Sequence, residues 1–424
     1  MPRVPAVLLL IAMVLLPACS APAYSVLTHE QIVDFLWQSD IEPVLLAKYP
    51  LLTENQLKVA HAYAYGGCLV QDMGYYPGGN KLFSDLVHYV RSGDFVAEMI
   101  RQAHDANELA FALGALAHYS SDVTGHPTIN RAVALEFPKM RKKYGDDVTY
   151  ADDPASHIQT EFGFDVLQVA QQRYTSQAYH DFIGFEVSRP VLDRAFLATY
   201  GVPLNQVLRN EDMAIGSFRH AVSVWMPRLT QVALITKKDE LKKIPNFNPR
   251  KFRYILKRSQ YEKEWGKNYY RPGFFAKFLA VIVKILPKIG PLRALDVKPP
   301  TPQTEKMYIR SVENTVTIYR ESLWRAADQD LMLENQDLDT GKPTFPGEYK
   351  LADRAYARLL KQLTADNFNQ MSPQLRARVL DFYSDLGLPF ETKRHKGDWQ
   401  EVLRDLDSLK KLPTNADASA STGR

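Results

Sequence analysis

Two imidazoles and a carboxylate recur every four residues in "HYSSDVTGH", where His118, Asp122 and His126 interrupt an apolar, small-residue stretch. An α-helix turns about 100° per residue, so steps of four drift by only about 40° and keep all three groups on one face. Such a face can form a polar seam in a core or one wall of a metal site. His157 and Glu161, in "HIQTE", repeat the relation. One His-x3-acid pair means little, because 48 acids among 424 residues should place about one such acid after ten histidines by chance. The chain has three, and the third, His104 with Glu108 in polar "HDANE", reads as a decoy at a helix start.

Three further residues join this set: His29, Asp72 in "CLVQDMGYY" and His88 in "SDLVHYV". Taken singly, each has a plain reading, a histidine satisfied in a core or an aspartate capping a Gly-rich turn. Taken together they place five histidines and three acids between residues 29 and 161, on helices able to meet. Imidazole and carboxylate donors without thiolate suit zinc, and a site that keeps open or water-filled positions is catalytic.

The elements that must position these groups are helices. "THEQIVDFLW", "TENQLKVAHAYAYGGCLVQDMG", "SDLVHYVRSGDFVAEMI", "DANELAFALGALAHYSSDVTG" and "DPASHIQTEFGFDVLQVAQQRY" carry 3.6-residue apolar spacing, several behind a Ser, Thr or Asp cap. Period-2 strands are nearly absent, and breaks such as "GYYPGGN" join the helices. The expectation is an all-α, multi-helix bundle enclosing a metal cluster, with an additional helical C-terminal region. Gly125 and Pro127 predict that the central helix ends at His126. Hydrophobic residues make up 46% and charged ones 24%, with a formal charge of +4, which is too mild to argue for nucleic acid or acidic substrates.

The opening "MPRVPAVLLLIAMVLLPACSAPAYS" has a basic start, an apolar run from Val7 to Leu16 and small residues after it. That pattern reads as a signal peptide over residues 1–23, too short for a spanning helix of about 20 apolar residues. Cleavage after Ala23 frees the amine of Tyr24 and is preferred to lipoprotein processing at Cys19. It leaves Cys68 as the one thiol of the mature chain. The expected protein is exported, periplasmic or secreted, with membrane association possible. A bundle domain is expected over 24–240. A helical region over 241–412 follows a basic, Pro-punctuated stretch and contains the basic apolar segment 271–295. The small, polar tail 413–424 is expected to be disordered.

In the order Tyr24, His29, Asp72, His88, His118, Asp122, His126, His157, Glu161, the chain resembles the bacterial zinc-dependent phospholipases C, which are related to fungal single-strand-specific nucleases. The resemblance covers roughly Tyr24 to Ala233. It implies up to three zinc ions. Asp72, His88, His118 and Asp122 would serve one, with Asp122 bridging to a second held by His29 and the amine and carbonyl of Tyr24. His126, His157 and Glu161 would hold the third. Two departures stand out: Tyr24 replaces the usual Trp, and the gap from Asp122 to His126 is shorter than usual.

Clustered zinc suits phosphoester hydrolysis, because the ions bind phosphoryl oxygens, lower the pKa of water toward about 7 and stabilise a leaving oxygen. By resemblance, Asp72 orients or deprotonates the attacking water. Tyr75, Tyr76 and Phe83 flank its loop as candidate substrate-binding residues, or as packing. Glu161, where the related nucleases carry Asp, favours lipid over nucleic acid. The segment "RPGFFAKFLAVIVKILPKIGPLRAL" favours it further, since Phe and Leu punctuated by Lys277, Lys284 and Lys288 suit an anionic membrane surface, or else a buried docking helix. The expected partner is therefore a phospholipid or membrane surface, and no protein partner is implied. A nuclease, and a non-catalytic envelope protein with structural metals, remain as alternatives.

Overall fold

The 3.6-residue apolar repeat becomes helix throughout the residues described by the computed structural model, 25–76, 78–171, 185–222, 298–328 and 331–413, and the fold is all-α. Helix α1 (Val26–Leu36) runs through a π-helical turn (Trp37–Ile41) into α2 (Glu42–Lys48). Helix α3 (Glu54–Gly67) opens on a capping box between Thr53 and Gln56. A 3-10 turn (Val70–Tyr75) leads to α4 (Lys81–Tyr89), α5 (Ser92–Arg101), α6 (Ala106–Glu136), α7 (Pro138–Tyr144) and α8 (Pro154–Ala170). Helices α9 (Arg189–Tyr200), α10 (Leu204–Val207) and α11 (Glu211–His220) follow. The C-terminal part holds α12 (Pro302–Ala327), a minimal antiparallel pair β1 (Gln336–Asp337) and β2 (Lys342–Pro343), then α13 (Lys350–Ala365), α14 (Pro373–Phe382) and α15 (Lys396–Lys410). The leader with Tyr24, the boundary at 240/241, segment 271–295 and the tail from 414 lie outside the described residues.

Helix α6 is the axis of the bundle, with Leu109, Phe111, Leu113, Leu116, Ile129 and Val133 all buried around it. Helix α3 crosses it at glycines, because a Cβ on Gly114 would run into the Ala64 carbonyl and one on Gly67 into the Phe111 carbonyl. Helix α12 lies along it too, and the Tyr319 hydroxyl donates to the Leu113 carbonyl at 2.9 Å. Phe164 of α8 stacks on Tyr308 of α12 at 4.5 Å between ring centres.

The expected stop at His126 does not occur. Helix α6 continues through Pro127 to Glu136, although proline gives up one helical hydrogen bond. Ile129, Ala132 and Val133, all fully buried beyond the proline, reward continuation more than the lost bond costs. His126 therefore sits within a continuous helix and not at a fraying end.

The C-terminal part reaches back onto this bundle. The Leu338 amide donates to the His88 carbonyl at 3.1 Å, Ser92 Oγ donates to the Gln336 carbonyl at 2.5 Å, and Arg358 of α13 pairs with buried Asp85 of α4 at 3.2 Å. The close crossing of α3 and α6 generates one prediction. Gly114→Ala should destabilise the protein by about 1–3 kcal/mol through overpacking against backbone, read as a lower urea midpoint. An unchanged midpoint would mean that the two helices spread without cost.

Candidate metal centre

On α6 the four-residue ladder folds as its spacing requires. Asp122 Oδ2 lies 3.0 Å from His118 Nε2 and 3.6 Å from His126 Nε2, and all three side chains are buried. Helix α4 adds His88, whose Nε2 lies 3.4 Å from Asp72 Oδ1 and 3.5 Å from Asp122 Oδ2. The 3-10 turn before it presents Asp72, and Gln71 pins that turn to α6 by donating to the Ala115 carbonyl at 3.0 Å. From α1, His29 stacks on His118 at 4.4 Å and brings Nε2 to 3.6 Å from Asp122 Oδ1. Helix α8 supplies His157 and Glu161, with Nδ1 and Oε1 2.5 Å apart, and the His157 ring lies 5.4 Å from that of His126.

These groups form three sets whose donor atoms lie within 4.8 Å of one another: His29, His118 and Asp122; Asp72, His88 and His118; His126, His157 and Glu161. Donors about 2.0–2.1 Å from a tetrahedral zinc ion stand roughly 3.3–3.4 Å apart. The observed separations bracket that value. Both oxygens of Asp72, both ring nitrogens of His126 and Oε2 of Glu161 are buried without a hydrogen-bond partner among the described residues. Buried polar atoms are ordinarily paired, so a cluster of orphans fits cations.

Neighbouring groups orient the imidazoles as candidate ligands. A carbonyl can only accept, so His118 Nδ1 must donate to the Cys68 carbonyl at 2.9 Å and His88 Nδ1 to the Ser84 carbonyl at 2.8 Å. In both rings Nε2 then faces the cluster, where burial works downward on the pKa but Asp122 and Asp72 outweigh it and raise both. Asn130 plays the same part for His157, its Oδ1 lying 2.8 Å from Nε2 and leaving Nδ1 toward Glu161. Burial drives the pKa of His29 and of His157 well below the usual range, which keeps both neutral. Burial pushes the Glu161 carboxyl well up, and the charges of Asp122 and Asp339 push it further. For Asp122, burial works upward but His118 and His126 outweigh it and hold the group well below the carboxylate range. A pocket this crowded with acid calls for positive charge.

Of the three aromatic residues read as pocket candidates, Tyr75 stands beside the cluster, its ring 5.8 Å from that of His88. Tyr76 packs edge-on against Phe218 and Phe83 stacks on Phe196, both in the core. The decoy pair separates: Glu108 accepts from the His104 amide at 2.8 Å and pairs with Arg194 at 2.5 Å, while the His104 side chain is exposed.

Several residues escaped the sequence reading. Asp165 continues the His157, Glu161 ladder one step further along α8. Its carboxylate accepts from the Leu27 amide at 2.9 Å, the Thr28 amide at 3.2 Å and the Thr28 hydroxyl at 2.6 Å, so it clamps the start of α1 beside His29. The four-residue spacing was a signal for it. Asp339, Tyr89, Tyr150 and Tyr349 close over the cluster, and no local pattern marked them. Asp339 Oδ1 lies 3.5 Å from His126 Nε2, and the Tyr150 ring meets the His157 ring edge-on at 6.0 Å.

Buried sets of histidine and carboxylate donors on an all-α bundle fit a metal-dependent hydrolase. The family model described as zinc dependent phospholipase C matches residues 28–210, a stretch that holds every candidate ligand from His29 to Glu161. Over these residues the chain is similar to a family of phosphoric ester hydrolases with zinc as cofactor. Neither the curated proteins nor the solved structures contain a match to this chain.

The clamp at Asp165 carries a pH signature. Burial pushes its pKa from 3.8 up to about 6, against hydrogen bonds, Thr28's foremost, that favour the charged form. The folded protein then binds this proton more tightly than the unfolded chain, so the group's contribution to stability is full below about pH 4 and falls as pH rises through 6. Asp165→Asn cannot ionise. Between pH 4 and 7 its stability relative to wild type should therefore rise by about 2 kcal/mol, measured by denaturation of both proteins in parallel. A difference that stays flat across the window would contradict the shift.

Proposed function

We propose that this chain is an exported phospholipase C type enzyme that hydrolyses phosphodiesters of membrane lipids at up to three zinc ions. The observation that carries this reading is the meeting of three His and carboxylate sets within the stretch matched by the zinc-dependent phospholipase C family. Asp72, His88, His118 and Asp122 hold one ion, His29 and Asp122 contribute to a second together with Tyr24, and His126, His157 and Glu161 hold the third. The leader over residues 1–23 supports export, and processing after Ala23 makes the Tyr24 amine available as a donor.

Zinc held there supplies Lewis acidity toward phosphoryl oxygens and makes water acidic enough to lose a proton near neutral pH. Asp72, buried with both oxygens open, orients the attacking water and takes its proton. Water oxygen bonds to phosphorus as the phosphorus bond to the glycerol oxygen breaks, and the proton passes to that leaving oxygen. No side chain becomes covalently attached. Tyr75, beside His88, borders the reacting phosphate. Glu161 and the basic apolar segment 271–295 support lipid over nucleic acid.

Zinc-loaded protein should release phosphorylated headgroups from phospholipid vesicles, and Asp72→Asn should lower kcat by about 10²–10⁴-fold while leaving the thermal transition in place. Headgroup release from no lipid, with cleavage of single-stranded nucleic acid instead, would transfer the site to the nuclease reading. Loss of stability in Asp72→Asn, with no activity to lose in wild type, would make the metals structural.

A further inference from the structure

We propose that Asp339, carried by the C-terminal β1–β2 turn, is a further protein ligand of the ion held by His126, His157 and Glu161. It lies outside the family-matched stretch 28–210, and the proposal rests on the three-ion reading above. Asp339 Oδ1 stands 3.5 Å from His126 Nε2. That is too long for a good N–H···O hydrogen bond, which spans about 2.7–3.2 Å, yet it matches the edge of a zinc tetrahedron, roughly 3.3–3.4 Å. His126 Nε2 lies at a similar 3.6 Å from Asp122, and neither ring nitrogen has a hydrogen-bond partner among the described residues. An ion between the imidazole and its carboxylate neighbours accounts for both separations.

The turn "QDLDTG" is built to aim this carboxylate. Asp337 Oδ1 accepts from the Asp339 amide at 2.9 Å and the Thr340 amide at 3.2 Å, an Asx turn that fixes the backbone. Tyr89 and Tyr349 both donate to Asp339 Oδ2, at 2.8 and 2.5 Å, which turns Oδ1 toward His126. Asn130 donates to the Asp339 carbonyl at 2.8 Å through the same amide whose oxygen meets His157, so one side chain sets two ligands of the same ion. Gly341 has φ +67°, and a Cβ there would lie 2.5 Å from the Val123 carbonyl and 3.0 Å from Pro127 Cγ. Glycine thus seats the turn directly on α6 beside Asp122 and His126.

Zinc counting by native mass spectrometry, after exposure to a mild chelator, separates this proposal from the reading beneath it. Wild type should retain three ions, and Asp339→Asn should lose one of them at least tenfold faster. Fewer than three ions in wild type would sink the three-ion reading itself. Three ions in both proteins, lost at equal rates, would overturn the role of Asp339, and faster lipid hydrolysis alongside would recast the turn as an inhibitory plug. Asp339→Cys loaded with cobalt(II) gives a second measurement even if the Asn variant folds poorly. It should show thiolate-to-metal charge-transfer absorption that wild type, whose buried Cys68 thiol donates to the Tyr65 carbonyl at 3.3 Å, does not. Absence of that band would also overturn the proposal.

Discussion

Asp122 is the constraint from which the rest of the architecture follows. Its Oδ1 faces His29 of α1 at 3.6 Å, and its Oδ2 faces His118, His88 and His126 at 3.0, 3.5 and 3.6 Å. A carboxylate in a dry interior costs several kcal/mol unless opposite charge and good geometry offset the loss of water. The fold answers by bringing three helices to one side chain. Helix α6 must then be central, must be approached closely by α3, and must persist through Pro127 to keep His126 on the same rail.

A second layer of contacts converts this crowd of rings into directed donors. The carbonyls of Cys68 and Ser84 fix which nitrogen of His118 and His88 faces the cluster, and Asn130 does so for His157. These partners come from the end of α3, from α4 itself and from α6. The orientation of the candidate ligands is thus written into helix packing, and a change at the α3–α6 crossing reaches His118 through Cys68. The Asp165 clamp acts in the same way on α1, setting the position from which His29 enters.

Helix spacing made much of this visible in the sequence. His118 with Asp122, and His157 with Glu161, share helix faces because four residues is close to one turn, and the residues that arrive singly, His29, Asp72 and His88, fell on segments with readable amphipathic helices. What local rules misjudged was governed by burial. Pro127 looked like a stop, but the apolar face beyond it prevails, and of the two readings open for Phe83 and Tyr76, pocket or packing, neighbouring rings place both in the core. Asp339 left no trace, since it pairs with Asn130 across 209 residues and its turn resembles any Asp-Gly loop.

Charge explains why a carboxylate from so far along the chain belongs there. On the three-ion reading, the ions meet Asp72, Asp122, Glu161 and Asp339 together with neutral imidazoles such as His29 and His157, leaving about two positive charges uncompensated. A phosphodiester anion neutralises part of that excess on binding, and the phosphate monoester product neutralises more. Without Asp339 the excess would be larger and would hold the product more tightly, which slows an enzyme whose turnover includes product release. The tyrosines that bond Asp339 Oδ2 are themselves buried, so the carboxylate that would trim the charge is held in a low-dielectric setting where the remaining charge acts more strongly on phosphorus.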